Sequence, residues 1–187
     1  MSLFDFETFP VLETARLVLR ELTHDDAPEV KQHLGDPDVT RFMDRLSMAT
    51  LDDARAWIDW MASFFAEKSG LRWGVILKTE GRLIGSAGMH NWDRAVRFAE
   101  VGYDFARPYW GQGYATEAAR ALIVFGFERM NLNRIEADLW KDNEASIRVL
   151  QKLGFTHEGT WRERAFKGGV YYDVLQFSLL RREWRPG

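Results

Sequence analysis

The chain of 187 residues contains no cysteine, which removes disulfides, thiolate metal sites and any cysteine nucleophile at once. Its four histidines, His24, His33, His90 and His157, are scattered, with no His-Glu-x-x-His spacing, so no metal site is expected. Proline is scarce at five, and no repeat, low-complexity tract or linker interrupts the chain. No apolar run nears the roughly 18 residues that span a bilayer, and the start, MSLFDFETFP, carries neither a basic segment nor a long apolar one. A cytoplasmic protein without membrane contact is therefore expected. Concentrated positive charge is lacking too: the net charge is −3, with Lys and Arg dispersed, so nothing attracts a phosphate backbone and nucleic acid is not an expected partner.

What is present suits one globular domain over residues 1–187, with residues 1–13 as an N-terminal extension. Hydrophobic residues make up 46% and charged residues 28%, which argues against disorder and against a coiled coil. Eight Trp and thirteen Phe point to a thick core with at least one apolar cleft, although a core alone accounts for most of them.

The hydrophobic period defines the order of elements. A strand is predicted over 16–22, then a helix over 26–34, with Pro28 in its first turn and Gly35 at its end. A longer helix over 51–68 is capped by Thr50 with Asp53 three residues on, and Ala54, Trp57, Ile58, Met61, Phe64 and Phe65 form its buried stripe. The period then drops to two. RWGVILKT and RLIGSAGMH flank Glu80-Gly81 as a hairpin, and RFAEVGYDFA is the third strand of the same antiparallel unit. A helix over 114–130, a strand NRIEADLW, a helix over 144–153 and strands over 156–164 and 171–180 complete the chain. This order reads as mixed α/β, with a mostly antiparallel sheet and one helical crossover that makes its flanking strands parallel.

The stretch RPYWGQGYATEA joins a strand to a helix through Gly111 and Gly113. Glycines bend the backbone and admit an oxyanion without a Cβ in the way, and a helix start presents unpaired amides. By itself the loop suits a phosphate or a pyrophosphate, or is a tight turn that binds nothing. It lacks the Lys-Ser/Thr ending of a Walker loop and the third glycine of a dinucleotide fingerprint. Ala115, Ala118, Ala119 and Leu122 would let the following helix approach the sheet closely.

Asn143 and Ser146 open the last helix and read as plain capping. Ser146 also begins the apolar row Ser146, Val149, Leu150, Leu153, and a hydroxyl on a buried face needs a partner. Strand alternation puts Glu100, Gly102 and Asp104 on one face and Val101, Tyr103 and Phe105 on the other. Glu100 is either ion-paired or functional.

The run from Pro108 to Ala118 resembles the acyl-CoA pyrophosphate loop of the GNAT acetyltransferase superfamily, in the branch that acetylates ribosomal-protein N-termini and related amines. TARLVLREL, AEVGYDF and DNEASIRVLQKLGFTHEG agree with it in content and order, so the resemblance covers residues 14–180. It implies a seven-stranded, mostly antiparallel sheet with a splayed parallel strand pair, flanked by about four helices. One departure is Pro108, where the superfamily has Gln or Arg; backbone amides do the binding there, and Arg107 is the neighbouring candidate for the missing cation.

The same resemblance implies acetyl-CoA as co-substrate, without a metal, and an acceptor that is a small-molecule amine or a protein N-terminus. A second copy of the chain, as a homodimer, is the remaining partner considered. Cofactor contacts are expected from Gly111, Gln112, Gly113, Tyr114 and Ala115 to the pyrophosphate and from Asn143 to the pantetheine arm. An N–H of Phe105 or Ala106 would hold the thioester oxygen if the strand splays from its neighbour. Ser146 would donate or relay a proton to the departing thiolate, and Glu100 would take the amine proton, with His90 and Asp173 in reserve. The branch's other base, a Glu after GFTHEG, has no equivalent: Ala165 stands there, with Glu163 two residues off. Without cysteine, direct attack of the amine on the thioester is the simplest chemistry. Tyr103, Phe105, Tyr109 and Trp110 would wall the pantetheine tunnel. Acceptor specificity is expected from the helix after Thr50, the loop HNWDRAVRF and the turn ERAFKGGVYY. The alternatives are a non-catalytic acyl-CoA binding or sensing module and a nucleotide-binding protein unrelated to CoA.

Overall fold

Each switch of hydrophobic period marks a change of element in the computed structural model, which describes residues 4–43 and 47–185. The strands are β1 (Leu12–Glu13), β2 (Leu17–Glu21), β3 (Leu71–Leu77), β4 (Arg82–Asp93), β5 (Phe98–Phe105), β6 (Arg134–Trp140), β7 (Thr156–Lys167) and β8 (Val170–Leu180). The helices are α1 (Ala27–Leu34), α2 (Pro37–Thr40), α3 (Leu51–Ala66), α4 (Tyr114–Glu128) and α5 (Glu144–Lys152). Two short elements exceed the sequence expectation. β1 is a two-residue strand pairing with Leu19 and Val18, and α2 is one turn started by the Asp36 cap and Pro37; neither is long enough to show a period. Lys68, expected inside α3, takes φ +57° and lies beyond its end.

Local chemistry accounts for the well-defined ends. Thr50 Oγ1 accepts from the Asp53 amide at 3.1 Å, and Asp53 Oδ2 accepts from the Thr50 amide at 2.8 Å, closing a capping box on α3. β7 and β8 meet at Gly168 and Gly169, whose φ values of +60° and +83° turn the hairpin without strain.

The sheet runs β1-β2-β3-β4-β5-β6-β8-β7. Every neighbouring pair is antiparallel except β5 and β6, which α4 connects as a crossover. One face of the sheet packs on α4 and α5, where Ala118, Ala119, Leu122 and Ile123 are fully buried against strand residues such as Trp73, Met89 and Ile135. The alanines bring α4 close to the sheet. The other face, over β2 to β4, is covered by α1 and α3 through Val30, Leu34, Ala54, Trp57, Ile58 and Met61. Residues of the N-terminal extension strap the first layer: Phe4 donates its amide to Arg129 O at 2.8 Å, and Phe6 stacks on Trp92 at 5.4 Å.

One feature of this sheet positions everything that follows. β5 and β6 pair only at Phe98↔Arg134, Ala99↔Ile135 and Glu100↔Glu136. Beyond Glu100 each strand keeps its other neighbour, β5 to β4 as far as Gly85↔Phe105 and β6 to β8 as far as Trp140↔Val174. The sheet therefore opens as a V after Glu100.

Candidate active site

The gap of the V holds a cavity of about 250 Å³. Val101, Gly102 and Tyr103 of β5 form one wall and Ala137 to Trp140 of β6 the other. Asn143, Ser146 and Leu150 of α5 form a third side, and Phe42 and Met43, just after α2, complete the lining. Asn143 is the N-cap of α5, its Oδ1 accepting from the Ser146 amide at 3.3 Å. Capping and cavity lining thus coincide in the same two residues.

Backbone direction in β5 sets which amides face the gap. Ala106 donates to Ile84 O at 2.9 Å, which makes Gly85 and Phe105 a pair without mutual hydrogen bonds. In such a pair the amide and carbonyl of each residue point away from the partner strand, so the Phe105 N–H points toward the β6 side. The Ala106 amide is already engaged and is not available to a thioester oxygen.

The side chains at the V divide by face. Tyr103 lies on the α5 side, its hydroxyl buried without a hydrogen-bond partner among the described residues. Burial pushes the phenol up to about 12, with Ser146 acting in the opposite direction. On the other face, Glu100 Oε2 is 3.4 Å from His90 Nε2. The hydrogen bond from His90 is the main influence holding the Glu100 carboxyl below the usual range; burial opposes it, and Asn91 and Arg164 add to it. Asp104 is enclosed in a cluster with Arg72, Ser86 and His33, whose Nε2 lies 2.7 Å from Asp104 Oδ1. Burial acts to raise that carboxyl, but Arg72, His33 and Ser86 outweigh it and hold it down at about 2.

The glycine loop stands at the open end of β5. Gly111 and Gly113 take φ values of +73° and +84°, left-handed conformations that favour glycine. The amides of Gly111, Gln112, Gly113, Tyr114 and Ala115 donate to no acceptor among the described residues. Five bare amides at the start of a 15-residue helix form a cradle for an anion. Pro108 has a structural explanation: it sits within the 3-10 turn Arg107–Tyr109, and its carbonyl accepts from Gln112 Nε2 at 2.8 Å.

Several expected placements differ. Arg107 does not face the cradle, because Asp38 Oδ2 at 2.7 Å and Asp36 Oδ2 at 3.6 Å hold its guanidinium beside α2. The cation beside the loop is Arg16, which donates to Gln112 O at 3.0 Å and to Glu117 Oε2 at 2.6 Å and lies over the Tyr114 ring. Of the four aromatics expected to wall a tunnel, only Tyr103 lines the cavity. The Phe105 side chain is in the core, the Tyr109 hydroxyl donates to Glu80 at 2.8 Å, and Trp110 Nε1 donates to Phe105 O at 2.6 Å. Asp173 Oδ1 accepts the Glu163 amide across the β7–β8 hairpin and does not reach the cavity lining.

The sequence reading also missed Phe42, Met43 and Trp140. Trp140 stacks on Tyr172 at 4.3 Å and meets Phe42 edge-on at 6.5 Å. Lys167, near the hairpin tip, ties this corner together by donating to Thr40 O at 2.7 Å and Met43 O at 2.9 Å. The run of Lys167, Gly168 and Gly169 signalled a turn, but nothing local signalled where its ammonium lands.

Among the described residues no group of three or more His, Asp or Glu could hold a metal ion, and no helix is long and apolar enough to cross a membrane. Residues 16–156 match the acetyltransferase (GNAT) domain family. The chain is 36% identical over 173 residues to the uncharacterized N-acetyltransferase YoaA of Bacillus subtilis (strain 168), covering 92% of this chain and 98% of that one. It is 38% identical over 173 residues to the uncharacterized N-acetyltransferase p20 of Bacillus licheniformis, covering 92% and 97%. The crystal structure of a GNAT-family acetyltransferase from Bacillus anthracis superposes with a TM-score of 0.83 at 27% identity, over 93% of this chain and all of the other.

Proposed function

Because the chain belongs to the GNAT acetyltransferase family and is an acetyl-CoA-dependent N-acetyltransferase, we propose that it acetylates a primary amine, either a protein N-terminal α-amine or that of a small molecule, by direct transfer at the V between β5 and β6. One observation carries the reading: the bare amides of the α4 loop, the Phe105 N–H and the Ser146 and Asn143 side chains all gather along the opening of one sheet.

The residues present fit the co-substrate. The left-handed glycines leave the five loop amides unobstructed, which suits a pyrophosphate, and Arg16, paired with Glu117, braces the loop through Gln112 O. Asn143 lines the cavity where the pantetheine arm would pass. Bound acetyl-CoA supplies the thioester whose acyl carbon the amine attacks. Charge that develops on the thioester oxygen needs a fixed donor, and Phe105 N–H is the amide of this pair left for it. Ser146 donates a hydrogen bond to the sulfur as it leaves. Glu100, at the vertex of the V, attracts an incoming ammonium and takes up the proton it sheds, directly or through water.

His90 is better read as the partner of Glu100 than as a base in its own right, since the two side chains face each other. The acceptor enters past Phe42, Met43 and Trp140, which Lys167 holds in place.

Thiol release from acetyl-CoA, followed with a chromogenic disulfide against a panel of small amines and N-terminal peptides, tests the proposal without cysteine background from the protein. Release that depends on one class of amine supports it. Tight acetyl-CoA binding in calorimetry with no acceptor-dependent release would make the chain a non-catalytic acyl-CoA module, and binding of ATP in preference to CoA would end the reading altogether.

A further inference from the structure

The Tyr103 hydroxyl is an anomaly within the cavity. It is buried and unpartnered among the described residues, and buried hydroxyls without partners are few enough that each needs a physical account. Trp92 Nε1 and Gln176 Oε1 are also buried without partners, but neither residue lines the cavity. Tyr103 does, together with Ser146, so the two hydroxyl-bearing side chains border one space. Among the described residues no hydrogen bond of normal geometry engages the Tyr103 hydroxyl. A serine hydroxyl has one proton to give and two lone pairs to receive, and the proton rotates freely unless something holds it.

We infer that Tyr103 is a positioning residue for the transfer step: its O–H donates to Ser146 Oγ and thereby turns the Ser146 proton toward the sulfur of the leaving thiol. The inference rests on the role proposed for Ser146. The step balances without ionising either hydroxyl. As the bond from the amine nitrogen to the acyl carbon forms, the carbon–sulfur bond breaks and its electron pair goes to sulfur. The surplus N–H proton leaves on the Glu100 side, and the thiolate departs hydrogen-bonded to Ser146 and takes a proton from solvent on release. Burial keeps the phenol neutral up to about 12, so Tyr103 remains a donor wherever the reaction runs.

CoA itself is the probe, and no acceptor is required. The ultraviolet absorbance of the thiolate of CoA bound to the protein is followed from pH 6 to 9.5 for the parent, Tyr103→Phe, Ser146→Ala and the double variant, with calorimetry to confirm CoA affinity. Loss of one oriented hydrogen bond should lower the bound thiolate fraction at a fixed pH by about three- to tenfold in Tyr103→Phe, at unchanged CoA affinity. Ser146→Ala should do the same or more, and the double variant should match Ser146→Ala. If Ser146→Ala shifts the titration and Tyr103→Phe does not, the Tyr103 role is overturned while that of Ser146 stands. If Ser146→Ala shifts nothing, both roles fall. Additive shifts in the double variant, or weakened CoA binding by Tyr103→Phe, would show that Tyr103 acts otherwise and overturn the inference. No binding of CoA by the parent protein would overturn the cofactor reading itself.

Discussion

Glu100 carries its charge well below neutral pH, because His90 and Asn91 hydrogen-bond the carboxylate and outweigh its burial. A base with a depressed pKa holds the amine's proton only in passing it to water and is an anion again before the next turnover, and that changes what its removal should do. With Glu100 ionised throughout the working range, the neutral-pH limb of the rate profile belongs to the amine, which must be uncharged to attack. Glu100→Gln should therefore lower kcat/KM by about 10- to 100-fold while leaving the position of that limb unchanged. A pH–rate profile of parent and variant checks this; a limb that disappears in the variant would mean that Glu100 itself titrates near neutrality.

The β7–β8 hairpin is the element through which distant parts of the chain reach the cavity. Its outer end carries Lys167 to the carbonyls of Thr40 and Met43, and Tyr172 to the ring of Trp140. Lys167→Met keeps an unbranched side chain as far as the ε position and removes the charged donor, so Phe42 and Met43 lose their anchor while the α4 loop is untouched. Hydrogen bonds to a charged group contribute about 1.5–3 kcal/mol, of which solvent screening removes part. An increase of about tenfold in acceptor KM is expected, with acetyl-CoA affinity unchanged by calorimetry. Equal weakening of donor and acceptor would show that the hairpin supports the whole V instead of its acceptor side.

Across the whole molecule, the two layers are pinned by one buried polar cluster. His33 comes from α1, Arg72 from β3, Ser86 from β4 and Asp104 from β5. The Asp104 carboxyl is depressed from 3.8 to about 2 in the folded state. Its stabilising contribution is thus fully present above about pH 4 and is lost as the pH falls toward 2, an amount of about 2 kcal/mol. Urea unfolding between pH 2 and 5 should show that loss in the parent. Asp104→Asn should lack most of it and be less stable by about 3–5 kcal/mol at pH 5, because Arg72 keeps its charge without a counter-ion. Identical acid dependence in the two proteins would assign the loss to other carboxylates.

Elements set by neighbours a few residues away were legible in the chain itself. The capping box of Thr50 and Asp53, the Glu80-Gly81 hairpin, the alternation of β5, the bare-amide loop around Gly111 and Gly113 and the Asn143 cap all follow from backbone chemistry within one or two turns. The family motif likewise pointed to the sheet with a parallel pair. What the fold alone decided was which distant groups meet. Arg16 stands at the loop while Arg107, inside the motif, is drawn to Asp36 and Asp38; Phe42 and Trp140 line one cavity; and Tyr103 lines that cavity together with Ser146, its hydroxyl buried without a partner among the described residues. Local propensity acts over a few residues, whereas these contacts depend on strand register, on where β5 and β6 part, and on the α4 crossover, none of which is written in any one stretch of sequence.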